Sequence, residues 1–263
     1  MLNIRHYHRA KSLEEAYTLN QNKSNRILGG MLWLRLSSGN VNTAIDLCEL
    51  GLDTIEETDE EFSVGAMVTL RQLEQHPGLN RYAQNAVRHA VQNIVGVQFR
   101  NLATVGGSIW GRFGFSDVLT VFMAMDAEVE LYKAGRVPLA QFAAMPYDRD
   151  LLVRLVVKKT PAQFVYTSMR NQRTDFPVLA CAVSRVGQQY RVTIGARPDR
   201  AVLLCDEQNL LAGGITEQSA AAFADWAAQT VRTGSNNRAS AEYRTHLVRV
   251  LTRRALLELG GVE

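Results

Sequence analysis

The chain is 263 residues long, generous for one compact domain and short for three, with 46% apolar and 21% charged residues, the usage of an ordinary globular protein. Its net charge of +3 is too small for the basic face of a nucleic-acid binder, and no apolar run approaches the ~20 residues that cross a bilayer. The polar, mixed start MLNIRHYHRAKS is no secretory leader, so a cytoplasmic protein with neither membrane nor nucleic-acid partners is expected.

Ser12-Leu13-Glu14-Glu15 has the form of a capping box and predicts a helix to about Leu19. Arg26 to Leu28 reads as a short strand ended by Gly29-Gly30. After Met31 to Leu36 and a turn at Ser37 to Asn40, Thr43 to Leu50 reads as another strand. This β-α-β-like segment occupies residues 1–52.

The second segment, 53–160, begins with a strand at Phe62 to Val68. Thr69 with Gln72 forms a second capping box, opening a helix that Pro77-Gly78 breaks. Asn80 to Val95 reads as helix, Ala103 to Gly114 as a glycine-rich stretch, Ser116 to Met125 as helix, and Ala127 to Lys133 and Leu151 to Lys158 as strands. In the third segment, 161–263, Phe164 to Met169, Val178 to Val186, Tyr190 to Ala196 and Ala201 to Cys205 suggest a small antiparallel sheet. Two helices close the chain, from about Glu217 to Arg232 and, with Ser240 as N-cap, to about Leu259.

Chemistry-bearing groups are sparse. Cys48, Cys181 and Cys205 are scattered without CxxC spacing, and the five histidines form no HExxH, so neither a disulfide framework, an iron–sulfur site nor a metal site is assigned. His6 and His8 share a strand face but lack a third ligand. No general acid, base or nucleophile stands out, so no catalytic residue is assigned. Trp33 and Trp110 read first as core aromatics, and Arg112, Arg170 and Arg173 as solvated surface charge. Ser116 and Asp117 suit a helix start.

Two places differ: Ile27-Leu28-Gly29-Gly30-Met31 and Ala103-Thr104-Val105-Gly106-Gly107-Ser108-Ile109. Consecutive glycines let neighbouring N–H groups converge on one point, and a pyrophosphate suits such a concavity. Each pair alone is also an ordinary turn signal. Neither a P-loop nor G-x-G-x-x-G is present, so a dinucleotide here requires another architecture.

The run Val97-Gln98-Phe99-Arg100-Asn101-Leu102-Ala103-Thr104-Val105-Gly106-Gly107-Ser108-Ile109, followed by Ser116-Asp117, resembles the flavin-binding signature of the molybdopterin dehydrogenase medium subunit, the FAD subunit of xanthine dehydrogenase and carbon monoxide dehydrogenase type enzymes. Ile27 to Gly30, Gly65 to Leu70, Asp150 to Leu152, Tyr166 with Asp175, and Ser240-Ala241-Glu242-Tyr243-Arg244 with Leu247 extend the resemblance over essentially the whole chain. It implies an α+β protein: a two-part FAD-binding domain of the p-cresol methylhydroxylase (PCMH) type plus a C-terminal α+β domain of the carbon monoxide dehydrogenase flavoprotein type. By motif position, Ile27, Leu28, Gly29, Gly30, Met31 and Leu32 would form the first cofactor loop, and Thr104, Gly106, Gly107 and Ser108 the second. Asp117 would accept from a cofactor hydroxyl, and Leu151 and Leu152 would sit beside the flavin ring.

The implied activity is electron transfer through FAD. A molybdopterin-binding large subunit and a 2Fe–2S small subunit would be the partners, and NAD+ or another compound the acceptor. Met31, Leu32 and Ser108 depart from the family's usual polar residues, and Ser168 stands where relatives often carry Lys. A flavin-free assembly subunit and a self-contained flavin oxidase of the same fold are the alternative readings.

Overall fold

The computed structural model describes residues 1–262. The first layer is a parallel three-stranded sheet in the order β1-β3-β2, made by β1 (Leu2–Arg9), β2 (Arg26–Leu28) and β3 (Gly39–Asp46), with α1 (Leu13–Asn20) as the crossover. Ile27 faces Ile45 across the β2–β3 pair, and Ala44 and Ile45 are fully buried. Ser12 caps α1 as expected, but Glu15 reaches past it to the Lys11 amide (2.7 Å). β3 starts and ends four residues before the predicted strand. Its end is set at Asp46, whose carboxylate accepts from the Cys48 amide, after which Leu47 to Leu50 form a turn.

The second layer is a five-stranded antiparallel sheet in the order β4-β5-β8-β6-β7. Its strands are β4 (Ile55–Glu57), β5 (Glu61–Gly65), β6 (Ala127–Leu131), β7 (Gly135–Pro138) and β8 (Leu152–Lys158). Between β5 and β6 run α2 (Leu70–Gln75), α3 (Pro77–Tyr82), α4 (Ala86–Val91), α5 (Val97–Arg100), α6 (Val105–Trp110) and α7 (Asp117–Met123); α8 (Leu139–Ala144) follows β7. The capping box at Thr69 and Gln72 is complete. The helix predicted over Asn80 to Val95 is instead two helices. Gln84 (φ +45°) and Asn85 (φ +65°) turn left-handed, and the buried Asn80 side chain holds the break by donating to three carbonyls and accepting from the Arg88 amide. β4, β7, α5 and α8 carried no sequence prediction; each is six residues or shorter, too short for a period to show.

The third layer is antiparallel, β12-β11-β10-β9, with β9 (Ala162–Arg170), β10 (Pro177–Val186), β11 (Gln189–Gly195) and β12 (Val202–Cys205), backed by α9 (Glu217–Thr230) and α10 (Ala241–Gly260). β10 is buried along nearly its whole length because both faces are covered. Successive side chains alternate: Val165, Cys181 and Val183 pack with α9 and α10, whereas Phe164, Tyr166, Ala180 and Ala182 join the core of the second layer. This alternation delivers Tyr166 to the start of α7.

Candidate functional site

At the end of β2 the chain passes through Gly29 and Gly30 into Met31, whose φ of +62° is left-handed. Glycine is required here by what lies opposite. A Cβ on Gly29 would stand 2.8 Å from Thr104 Oγ1, and one on Gly30 only 1.8 Å from the Leu102 carbonyl oxygen. The two glycine pairs therefore meet, and Gly29, Gly30 and Gly107 border one cavity of about 560 Å³, in the size range of cofactor pockets.

The two segments differ in how their amides are used. Gly106 and Gly107 lie in the first turn of α6 rather than in an open loop. Val105 N donates to Val68 O (2.8 Å), Gly106 N to Ala66 O (2.7 Å) and Ser108 N to Thr104 O (3.1 Å). Gly107 N donates to Thr104 Oγ1 (3.1 Å). In the first segment, none of the amides of Gly29, Gly30, Met31, Leu32, Trp33 and Leu34 donates to a protein acceptor among the described residues, and all six residues line the cavity. Backbone N–H groups go unpaired at a cost, so six in a row beside a cavity leave donors available to an anionic group.

The remaining expected residues divide. Ile27, Thr104, Ser108 and Asp117 line the same cavity. Leu28 is buried behind it with Val41 and Ala44, and Gly106 packs against Ala66. Leu151 is packed with Ile45, Leu47 and Leu52, and Leu152 lies in β8 opposite Leu131; neither is a cavity wall.

Asp117 opens α7 after its cap Ser116, which accepts from Leu119 N and donates to Ser108 O (3.0 Å). The Asp117 carboxylate is buried, and its Oδ1 accepts from both Tyr166 Oη and Arg170 Nη2, the latter at 2.7 Å. Burial pushes the Asp117 carboxyl up, against the pull of Arg170 and the Tyr166 hydroxyl. Burial and the neighbouring carboxylate push Tyr166 well above its ordinary value, which keeps it a donor. Ser168 accepts from Arg170 Nε (3.2 Å).

Several bland expectations are overturned. Arg170 is not solvated: its side chain is 7% exposed and pairs with Asp117. Arg112 is buried over the Phe142 ring, 3.9 Å from its centroid, donates from Nε to Phe142 O, and has no hydrogen-bond partner at Nη1 or Nη2 among the described residues. Arg173 is exposed, as expected. Trp33 is no core aromatic; it is exposed at the cavity, within 6.0 Å of Phe113, Phe115 and Phe176 between ring centroids. The cluster is absent from the sequence-based expectations because its only linear signal is the pair Phe113 and Phe115; Phe176 arrives from the third layer. Among the described residues no group of three His, Cys, Asp or Glu side chains could hold a metal ion, and no helix is long and apolar enough to cross a membrane.

A cavity edged by free amides, lined from all three layers, suits a phosphate-bearing cofactor. Residues 2–159 match the FAD binding domain in molybdopterin dehydrogenase, and residues 164–259 the CO dehydrogenase flavoprotein C-terminal domain. The chain belongs to this molybdopterin dehydrogenase flavoprotein family; it is an oxidoreductase subunit, and its cofactor is FAD. It is 26% identical over 285 residues to the xanthine dehydrogenase FAD-binding subunit of Escherichia coli O157:H7, covering 98% of this chain and 97% of that one. It is 25% identical over 273 residues to the nicotine 6-hydroxylase medium subunit of Paenarthrobacter nicotinovorans, with 95% of each chain covered. In fold it is similar to carbon monoxide dehydrogenase from Hydrogenophaga pseudoflava, with a TM-score of 0.85 at 23% identity over 97% of this chain and 96% of that one. The PCMH-type FAD domain with its C-terminal α+β partner is thus the architecture expected from the resemblance.

Proposed function

We propose that the chain is the electron-transfer subunit of a cytoplasmic molybdenum hydroxylase. In this reading it receives electrons from the 2Fe–2S clusters of a small partner subunit, which draws them from a molybdopterin-binding large subunit, and passes them to NAD+ or another acceptor. Residues 1–52, 53–160 and 161–263 act as first FAD subdomain, second FAD subdomain and C-terminal domain.

The observation that carries the reading is the row of free amides from Gly29 to Leu34 along the cavity. These donors, without side-chain charge, are suited to the diphosphate of FAD. The second segment acts differently from the first: with its amides already bonded internally, it braces Gly29 and Gly30 and contributes Thr104 and Ser108 to the wall. Asp117 offers a carboxylate oxygen to a cofactor hydroxyl. When bound, the flavin supplies the redox chemistry, accepting electrons and giving them up; the protein positions it and shields it.

The test uses the assembled complex under anaerobic conditions. On adding the hydroxylase substrate, the visible flavin absorption is expected to bleach after the iron–sulfur bands, and NAD+ is expected to restore it with formation of NADH. Iron–sulfur reduction with a flavin that stays oxidised would overturn the electron-transfer reading. Recovery with another acceptor but not NAD+ would overturn only the choice of acceptor.

A further inference from the structure

We infer that Tyr166 and Arg170 are positioning residues for Asp117: both seize Oδ1 and so leave Oδ2 turned to accept from an FAD hydroxyl in the cavity. The inference rests on the reading above in which Asp117 is a hydroxyl acceptor. Three observations support it. The Tyr166 hydroxyl and Arg170 Nη2 converge on one oxygen, although a carboxylate facing an arginine commonly shares both of its oxygens with the guanidinium. No donor from another residue reaches Oδ2 among the described residues. Asp117 and Arg170 both line the cavity.

Arg170 is itself immobilised. Its Nε donates to Ser168 Oγ (3.2 Å), its Nη1 to the Asp175 carbonyl (2.5 Å) and its Nη2 to Asp117. It is therefore a fixed strut from β9 to the head of α7, and the C-terminal domain sets the orientation of a carboxylate belonging to the FAD-binding part. Tyr166 reaches the same oxygen from the same strand, four residues earlier and on the same face. Side chains of both domains thus determine the reach of one acceptor.

The test measures FAD dissociation constants by flavin fluorescence on the full chain, with thermal melts of the FAD-free protein alongside. Asp117→Asn is expected to weaken FAD roughly tenfold, and Tyr166→Phe and Arg170→Met each by about three- to tenfold, the scale of one ordinary hydrogen bond, because each removes only one of the two donors that hold Oδ1. In the Asp117→Asn background, Tyr166→Phe and Arg170→Met are expected to add nothing, because what they position is gone. Arg170→Lys is expected to recover part of the affinity. Tyr166→Phe conserves shape, so its own cycle with Asp117→Asn remains readable if Arg170→Met alone folds poorly. Additive losses would overturn the inference, as would losses that only follow the FAD-free melting temperature. If Asp117→Asn weakens FAD while Tyr166→Phe and Arg170→Met do not, this inference falls and the acceptor role stands. If Asp117→Asn leaves FAD affinity unchanged, the acceptor role itself falls, and the inference with it.

Discussion

Gly30 and Leu102 approach so closely that a Cβ at position 30 would stand 1.8 Å from the Leu102 carbonyl oxygen and 2.6 Å from its carbon. The obstacle is backbone, so it cannot swing aside as a flexible side chain would. Gly30→Ala is expected to push the two segments apart, at roughly 1–3 kcal/mol of stability or more by analogy with overpacked cores. It should also weaken FAD, since the amides of Gly29 to Leu34 move with it. Urea unfolding and FAD titration check both effects, and an unchanged midpoint would show that the contact yields freely.

Met31 holds a φ of +62°, a conformation that β-branched residues resist most. Met31→Val is expected to destabilise the FAD-free protein by about 1–2 kcal/mol. Met31→Gly relieves the backbone but loses the packing of Met31 on Leu28 and Val41, leaving stability close to the parent. Thermal melts of the two variants should rank glycine above valine.

The Glu74 carboxylate meets Arg100 Nε at 2.8 Å and Arg71 Nη1 at 2.9 Å, and the Glu74 and Arg100 side chains are nearly buried. Burial raises the Glu74 pKa, but the two arginines outweigh it and hold the carboxyl below its ordinary value. A depressed folded value gives stability that is complete above the unfolded pKa of about 4.3 and is lost as pH falls through the folded value. Glu74→Gln should therefore cost roughly 2–4 kcal/mol at neutral pH, with the deficit shrinking in acid below that unfolded value. Urea midpoints of both proteins across this pH range give the comparison; a deficit that does not change with pH would contradict the ion-pair account.

Cys181 is fully buried between the third sheet and α10, and burial pushes its thiol up to about 12. Cys48 is exposed in the turn after β3. Brief treatment of the native protein with a thiol reagent should modify Cys48 and leave Cys181 untouched until the protein is unfolded, as peptide mass mapping will show.

Local signals in the sequence translated well into local structure. β2 spans Arg26 to Leu28 as read, the cap residues Ser12, Thr69, Ser116 and Ser240 all serve, and the third sheet is antiparallel as expected. The residues that bring the cavity together were less legible, because their reasons are distant in the chain. Nothing near position 170 says that Arg170 will meet Asp117, fifty-three residues away, rather than water. Trp33 finds Phe176 only once the third layer has docked. The Gly106-Gly107 pair reads as a partner in anion binding, yet its amides are taken by the Ala66 carbonyl, a contact that depends on the end of β5 lying beside α6, and by the N-cap hydroxyl of Thr104.

That difference between the two glycine segments sets where the molecule can yield. Residues 105–108 keep their amide protons in internal bonds whatever the cavity holds, and so should exchange with deuterium slowly and alike in the apo and FAD-bound protein. The amides of residues 29–34 have no acceptor among the described residues, so their exchange should be fast without FAD and slow with it. Loading with cofactor would then leave its imprint on a single short stretch of the chain, beside a neighbour that was rigid from the start.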